Sequence, residues 1–317
     1  MQEATDDTIK SHIKKNFDKN YYIIHQDNEG SSLENVIGIK KERFEILSES
    51  RIIICDDKLK KITNKGNNNE EKQNNEDDTC IEYDNRIQVD GNRGIINVCI
   101  KDRLIKNKII NLFCVHFPWK PVYEYQKARI MGLIFDLILR KKIPNVIIAG
   151  DFNSVPNSIV LRMVYYQAWE EEMNNQNKEK INDNFIHTKK ESDLIRETLD
   201  KMDKRENIEK MINYLMKISK EVWVKYRMKS AYDNYRKEIK DEKYGFLRNH
   251  PKYTNYTNKF IDTIDYIFYS KNLIKLKILK IPDVEKEGNN KKEKLFLPND
   301  KYPSDHLKIV ANFEYKI

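Results

Sequence analysis

Glycine and proline are scarce in this 317-residue chain, at 9 and 8, and cysteine is rarer still at 4. So little glycine and proline excludes collagen-like and linker-rich low-complexity architectures. Cys55, Cys80, Cys99 and Cys114 show no CxxC spacing, which argues against a zinc site or a disulfide framework and points to a reducing compartment. No apolar run approaches membrane-spanning length, and residues 1 to 20 are too charged for a signal peptide. GxSxG, P-loop and HExxH motifs are absent as well, so those three routes to hydrolysis or phosphate binding do not apply.

What is present is charge, at 34% of residues, against 39% hydrophobic. The apolar residues are clustered rather than diluted, which describes a core carrying long hydrophilic insertions. A net charge of +8 suits an anionic partner, nucleic acid first, although lysine as the default surface residue explains it equally well.

The opening stretch MQEATDDTIKSHIKKNFDKNYY places Ile9, Ile13 and Phe17 on one helical stripe, with Asp6 and Asp7 as capping candidates. VIGIKK and RIIIC suit strands, and residues 56 to 84 form an Asn-, Glu- and Lys-rich tract read as a loop insertion. GIINVCI and KIINLFCVHF read as adjacent antiparallel strands. YEYQKARIMGLIFDLILRKK carries Ile130, Leu133, Ile134, Leu137 and Ile138 at helical spacing, and NVIIAG returns to strand. Residues 170 to 226 read as a charged helical insertion, followed by strands in TIDYIFYS, LIKLKILKI and LKIVANFEY. Strands and helices interspersed in this way favour a mixed α/β sandwich over a doubly wound parallel sheet.

Several strands end in residues that chemistry uses. VIIAGDFNSVPNS runs from a buried strand into Asp151 and Asn153, with Gly150 allowing a sharp turn and Asn157 or Ser158 able to cap the helix that follows. LFCVHF delivers His116, TNKFIDTIDYIF interrupts an otherwise apolar strand with Asp265, and YPSDHL sets Asp305 and His306 immediately before a strand. Singly, each carboxylate reads as a turn former or a cap. Together they form a set of rigidly mounted acids, histidines and an amide. Carboxylates without thiols select a hard cation, Mg²⁺ with Mn²⁺ as a substitute, and such a set suits phosphodiester hydrolysis.

GDFNSVPNS, TIDYIFYS and YPSDHL, in this order, resemble the endonuclease/exonuclease/phosphatase superfamily. The resemblance implies an α/β fold, a DNase I-like four-layered sandwich of two packed mixed β-sheets, in a single catalytic domain over 1–317. MKSAY and YTNYTNKFIDTIDYIFYS are similar to the carbon-catabolite-repressor-type poly(A) deadenylases and their nocturnin, Angel and two-prime phosphodiesterase relatives. By resemblance, Glu3 in MQEA is a principal Mg²⁺ ligand and His116 contacts the scissile phosphate. Asp151 orients the attacking water or binds metal, and Asn153 hydrogen-bonds the phosphoryl oxygens. Asp265 pairs with His306, the general base, and Asp305 completes the metal or water shell.

The same resemblance has Pro121 and Phe260 sandwich an adenine, with packing in the core as the alternative for Phe260. Trp119 is expected to be packed and Asn255 to be a turn residue. The family's first strand, ending in an active-site Asn, lies upstream of the segment matched by MQEA, so a truncated sequence is expected. The activity implied is Mg²⁺-dependent 3′-to-5′ removal of adenosines from poly(A) tails. Single-stranded RNA and a deadenylase complex are the partners, in the cytoplasm or nucleus and away from membranes. Two other readings stay open: the same fold acting on a dinucleotide, oligoadenylate or nucleotide-cofactor phosphate, and an inactive RNA-binding scaffold.

Overall fold

β-Branched and aromatic residues dominate the segments that become strands, because branched side chains pack well on a pleated, half-buried surface. The computed structural model describes residues 5–25, 35–54, 59–63, 93–119, 123–175, 205–236, 250–285 and 296–316. The chain divides into two compact units, Met1–Pro118 and Trp119–Ile317. Among the described residues no helix is long and apolar enough to cross a membrane.

The first unit opens with a continuous helical run: α1 (Asp6–Thr8), a π-widened segment (Ile9–Lys14) and α2 (Lys15–Phe17). Its cap is Thr5, whose Oγ1 accepts from Thr8 N–H at 3.2 Å, rather than Asp6 or Asp7. Ile9 and Ile13 are buried against Val36 and Ile23, as the stripe predicts. Phe17 is instead exposed, edge-on to Tyr21. Strands β1 (Tyr21–His25) and β2 (Val36–Lys40) form an antiparallel pair.

Four more strands, β3 (Phe44–Ile54), β4 (Leu59–Thr63), β5 (Arg93–Asp102) and β6 (Ile109–His116), lie antiparallel in the order β4-β3-β5-β6. Strand β4 corrects the reading of residues 56 to 84 as loop throughout. The backbone of β3 between Ser50 and Ile54 offers a row of polar groups, and LKKIT pairs with it. Residues 56–58 and 64–84 lie outside the described residues.

The second unit contains α3 (Glu124–Lys141), β7 (Asn145–Asp151), α4 (Ile159–Val164), α5 (Tyr166–Asn175) and α6 (Arg205–Tyr226). Strands β8 (Lys229–Ser230), β9 (Asn255–Tyr256), β10 (Ile261–Asp262), β11 (Asp265–Tyr269), β12 (Leu273–Ile278) and β13 (Ala311–Tyr315) follow. Helix α3 buries Ile130, Ile134 and Ile138 on one face and stops at Lys142, which turns left-handed at φ 54°. Among the described residues of the expected 170 to 226 insertion, the end of α5 and the whole of α6 are helical, and α6 packs on α3. Gly132 permits the approach: a Cβ there would lie 2.8 Å from Leu215 Cδ2. Strands β7, β11 and β8 are antiparallel neighbours in that order. The pairs β9–β10 and β12–β13 enclose a second apolar cluster around Tyr253, Tyr256, Leu273 and Leu307.

Candidate active site

The segment GDFNS leaves β7 with its side chains sorted by destination. Gly150 takes a φ of 145°, a conformation L side chains avoid, and lets the chain turn at the strand end. Phe152 points into the core, edge-on to Tyr266 and Phe268, and its N–H donates to Ile264 O at 2.9 Å. That anchor leaves its neighbours Asp151 and Asn153 to face each other. Asn153 adopts a left-handed φ of 45°. Its backbone N–H donates to Asp151 Oδ1 at 2.7 Å and its Nδ2 to Asp151 Oδ2 at 3.0 Å. Ser158 then caps α4 by accepting from Leu161 N–H at 3.4 Å, as the sequence predicts.

The antiparallel register sets Asp265, first residue of β11, directly opposite Asp151. Residues opposite in such a pair project from the same face, and like charges there repel. A cation is needed, and the chain provides one in His306. Its Nδ1 lies 2.8 Å from Asp265 Oδ2. A carboxylate can only accept, so Nδ1 carries a proton in either charge state and Nε2 is the nitrogen whose proton comes and goes. Nε2 lies 3.9 Å from Asp305 Oδ2.

Backbone ties hold this arrangement in place. Thr254 Oγ1 accepts from the N–H groups of both Ile264 and Asp265 at 3.0 Å. Leu307 N–H donates to Thr254 O at 2.7 Å, and Asn255 forms an antiparallel bridge with His306. Asn255 corrects the expectation of a turn residue. It is buried in β9, its Nδ2 reaching Asp305 Oδ2 at 3.4 Å, and its Oδ1 is a buried acceptor with no hydrogen-bond partner among the described residues.

Burial opposes the imidazolium of His306 and pulls its pKa down. The hydrogen bond to Asp265 and the charges of Asp265, Asp151 and Asp305 outweigh that, raising it from 6.5 to about 9. At neutral pH the imidazole therefore keeps its proton.

The structure brings Asp151, Asn153, Asp265, Asp305 and His306 together in the second unit. His116 closes β6 in the first unit, where it is buried. Phe260 stands at the tip of the β9–β10 hairpin, 43% exposed, so core packing does not account for it. Trp119, expected to be packed, is 62% exposed. Glu3 and Pro121 lie outside the described residues. Sequence reasoning missed Lys127, a buried lysine whose Nζ donates to the Asn153 carbonyl. Its only sequence signal is a charge on the otherwise apolar face of α3.

Asp151, Asp265 and His306 each offer a ligand atom, and these atoms lie within 4.8 Å of one another. Two opposed carboxylates with unused lone pairs are hard oxygen donors, so the residues fit a divalent cation.

The profile of the Endonuclease/Exonuclease/phosphatase family matches residues 83–306. The chain belongs to this family. Among curated proteins, it is 44% identical over 75 residues to carbon catabolite repressor protein 4 homolog 4 of Arabidopsis thaliana, covering 23% of this chain and 17% of that one. It is 25% identical over 216 residues to the CCR4-Not complex 3′-5′-exoribonuclease subunit Ccr4 of Candida albicans, covering 63% of this chain and 21% of that one. The matched segments thus span about a fifth or less of these relatives' own lengths. Among solved structures, ANGEL2, described as a 2′,3′-cyclic phosphatase, aligns at TM-score 0.58 with 15% identity, covering 100% of this chain and 81% of that one. The human Nocturnin catalytic domain aligns at 0.53 with 16% identity, covering 99% and 79%. The fold is the α/β, DNase I-like one that the sequence motifs imply.

Proposed function

We propose that this chain is a divalent-cation-dependent phosphodiester hydrolase that shortens RNA from its 3′ end, with poly(A) tails as substrate. The observation that carries the reading is the facing pair Asp151 and Asp265 with His306 hydrogen-bonded to one of them. Membership of the family and the likeness to Ccr4 proteins support it.

A Mg²⁺ or Mn²⁺ ion held at Asp151 and its neighbours would polarise the phosphoryl oxygen and offset the carboxylate charge. Asp265 fixes the His306 tautomer, so Nε2 faces the reacting water. His306 takes the water proton as general base, which requires its pKa to fall from about 9 toward neutrality. A bound cation would offset the carboxylate field, since the hydrogen bond to Asp265 and the charges of Asp265, Asp151 and Asp305 are what raise the pKa. Asn153 steers Asp151 and supplies an amide to the phosphoryl oxygens. Asp305 extends the water shell. Glu3 and His116 keep, within this proposal, the roles that the resemblance implies. The exposed Phe260 ring, paired with Pro121, stacks an adenine.

A second reading keeps the site and changes the substrate to a nucleotide or terminal phosphate. The alignment over the whole chain with a 2′,3′-cyclic phosphatase favours it. A gel assay on 5′-labelled RNA with a poly(A) tail, with Mg²⁺ or EDTA and a poly(U) control, separates the two. A ladder shortening to the tail boundary and lost in EDTA supports deadenylation. Release of phosphate from a nucleotide without shortening moves the protein to the second reading. Hydrolysis of neither sinks the enzyme reading and leaves an RNA-binding scaffold.

A further inference from the structure

The described residues include a lysine that the chemistry above leaves unused. Lys127 lies on the first turn of α3 and is 2% exposed. Lysines are almost never buried so fully unless paired. Its ammonium donates to Glu124 Oε2 at 3.1 Å and to the backbone carbonyl of Asn153. The next carbonyl in the same loop, that of Ser154, accepts from the Tyr266 hydroxyl at 3.0 Å. Successive carbonyls of the GDFNS loop are thus gripped from α3 on one side and from β11 on the other.

Asn153 is the residue that needs the grip. A left-handed φ of 45° is disfavoured for side chains larger than glycine, and asparagine sustains it where local hydrogen bonds hold it. In that conformation the Asn153 N–H and Nδ2 go to the two Asp151 oxygens, and its carbonyl receives Lys127. Without Lys127 the carbonyl loses a charged donor, the left-handed turn loses a restraint, and the two donors that Asn153 offers Asp151 are loosened with it. The pair is also poorly built for stability alone. Glu124 Oε1 is buried with no hydrogen-bond partner among the described residues, and a buried ion pair with an unmatched oxygen recovers little of its desolvation cost.

We infer that Lys127, held by Glu124, is a positioning residue that locks Asn153 in its left-handed conformation and thereby aims Asp151. The inference rests on the hydrolase reading for its catalytic consequence, but not for its structural one. The test uses the full chain in three variants. Lys127→Met removes the donor at similar length. Lys127→Met with Glu124→Gln also removes the carboxylate that the single variant strands. Arg140→Gln breaks a surface pair elsewhere on α3 and is the control.

Two quantities are read, steady-state turnover and hydrogen exchange of the Asn153 amide. Both Lys127 variants should lower kcat about tenfold with KM within twofold, and should speed Asn153 exchange at least tenfold. The double variant should regain the melting temperature lost by the single one without regaining kcat. Arg140→Gln should change neither. Asn153 exchange that stays at the wild-type rate in the folded double variant overturns the inference, as does recovery of kcat together with stability. If the wild-type chain hydrolyses nothing, the hydrolase reading fails alone, and the exchange measurement still decides the role of Lys127.

Discussion

Two clusters in the second unit set an aspartate beside a histidine, and they do opposite work. In one, Asp265 and His306 hydrogen-bond at 2.8 Å among further carboxylates, and the imidazole side chain is 27% exposed. In the other, Asp233 Oδ1 lies 3.6 Å from His250 Nε2, and the imidazole is 2% exposed. Asp233 takes its hydrogen bonds from neutral donors, the Tyr165 hydroxyl and the Ser230 N–H at 3.2 Å. Tyr165 in turn accepts from the same Ser230 N–H at 3.1 Å, so the cluster staples β8 to the loop that follows it. Desolvation pushes the Asp233 carboxyl up, whereas the carboxylate field pushes His306 up. The same residue types make a proton-handling site where charge and access coincide, and a structural staple where burial dominates.

The contrast breaks most visibly under alanine substitution. His306→Ala should slow hydrolysis by about 10²–10⁴-fold, and Asp151→Ala should abolish it, each with a melting temperature close to wild type. Turnover that survives either change removes that residue from the site. Asp233→Ala should do the reverse. It takes the carboxylate acceptor away from the buried Tyr165 hydroxyl and leaves the Ser230 N–H only its bond to that hydroxyl, costing about 1–3 kcal/mol of stability, while the folded fraction keeps its kcat. Urea melts alongside rate assays read both; a large loss of kcat at unchanged stability would erase the distinction.

The pH dependence of stability in EDTA sharpens it further. The folded pKa of His306, about 9, exceeds its unfolded value of 6.5. Its contribution is therefore full below about 6.5 and lost as pH rises through about 9. Wild type should lose stability over that window relative to His306→Gln, and parallel curves would show that the carboxylates do not hold the imidazolium. Asp233 is also raised, from 3.8, so its contribution is present below that value and declines at higher pH, in a separate acid window. In rate assays, the acid limb assigned to His306 should move to lower pH as Mg²⁺ is added. A limb indifferent to Mg²⁺ would uncouple the base from the cation. The smallest effect is expected at Phe260, whose ring lies outside both clusters. Phe260→Ala should cost about 1–3 kcal/mol in discrimination for poly(A) over poly(U) with little change on a minimal phosphodiester. Equal losses on both substrates would deny it a stacking role.

Most strands and α3 were legible because alternation and helical spacing are local signals, and IINLFCVH, VIIAG and DYIFY state them clearly. The site was legible as residue types at strand ends. Its support was not. Lys127 reads as one more charge on an amphipathic helix, and Asn255 reads as a turn former between tyrosines. Both assignments depend on partners far along the chain, Asn153 for one and Asp305 with His306 for the other. Strand β4 was hidden because LKKIT sits at the edge of a low-complexity tract, and pairing with β3 overrides composition there.

By itself, the sequence determined that Asp151 ends a strand and that Asp265 belongs to one, since apolar runs mark both. That Asp265 opens its strand, and that His306 sits in an isolated bridge with β13 starting only at Ala311, came from the tertiary structure. Only the tertiary structure decided that Asp151 faces Asp265, because register is set by pairing between distant strands and a slip of one residue would turn the two carboxylates to opposite faces. It alone also decided that the His306 pKa is raised, because the hydrogen bond to Asp265 and the carboxylate field come from separate parts of the chain.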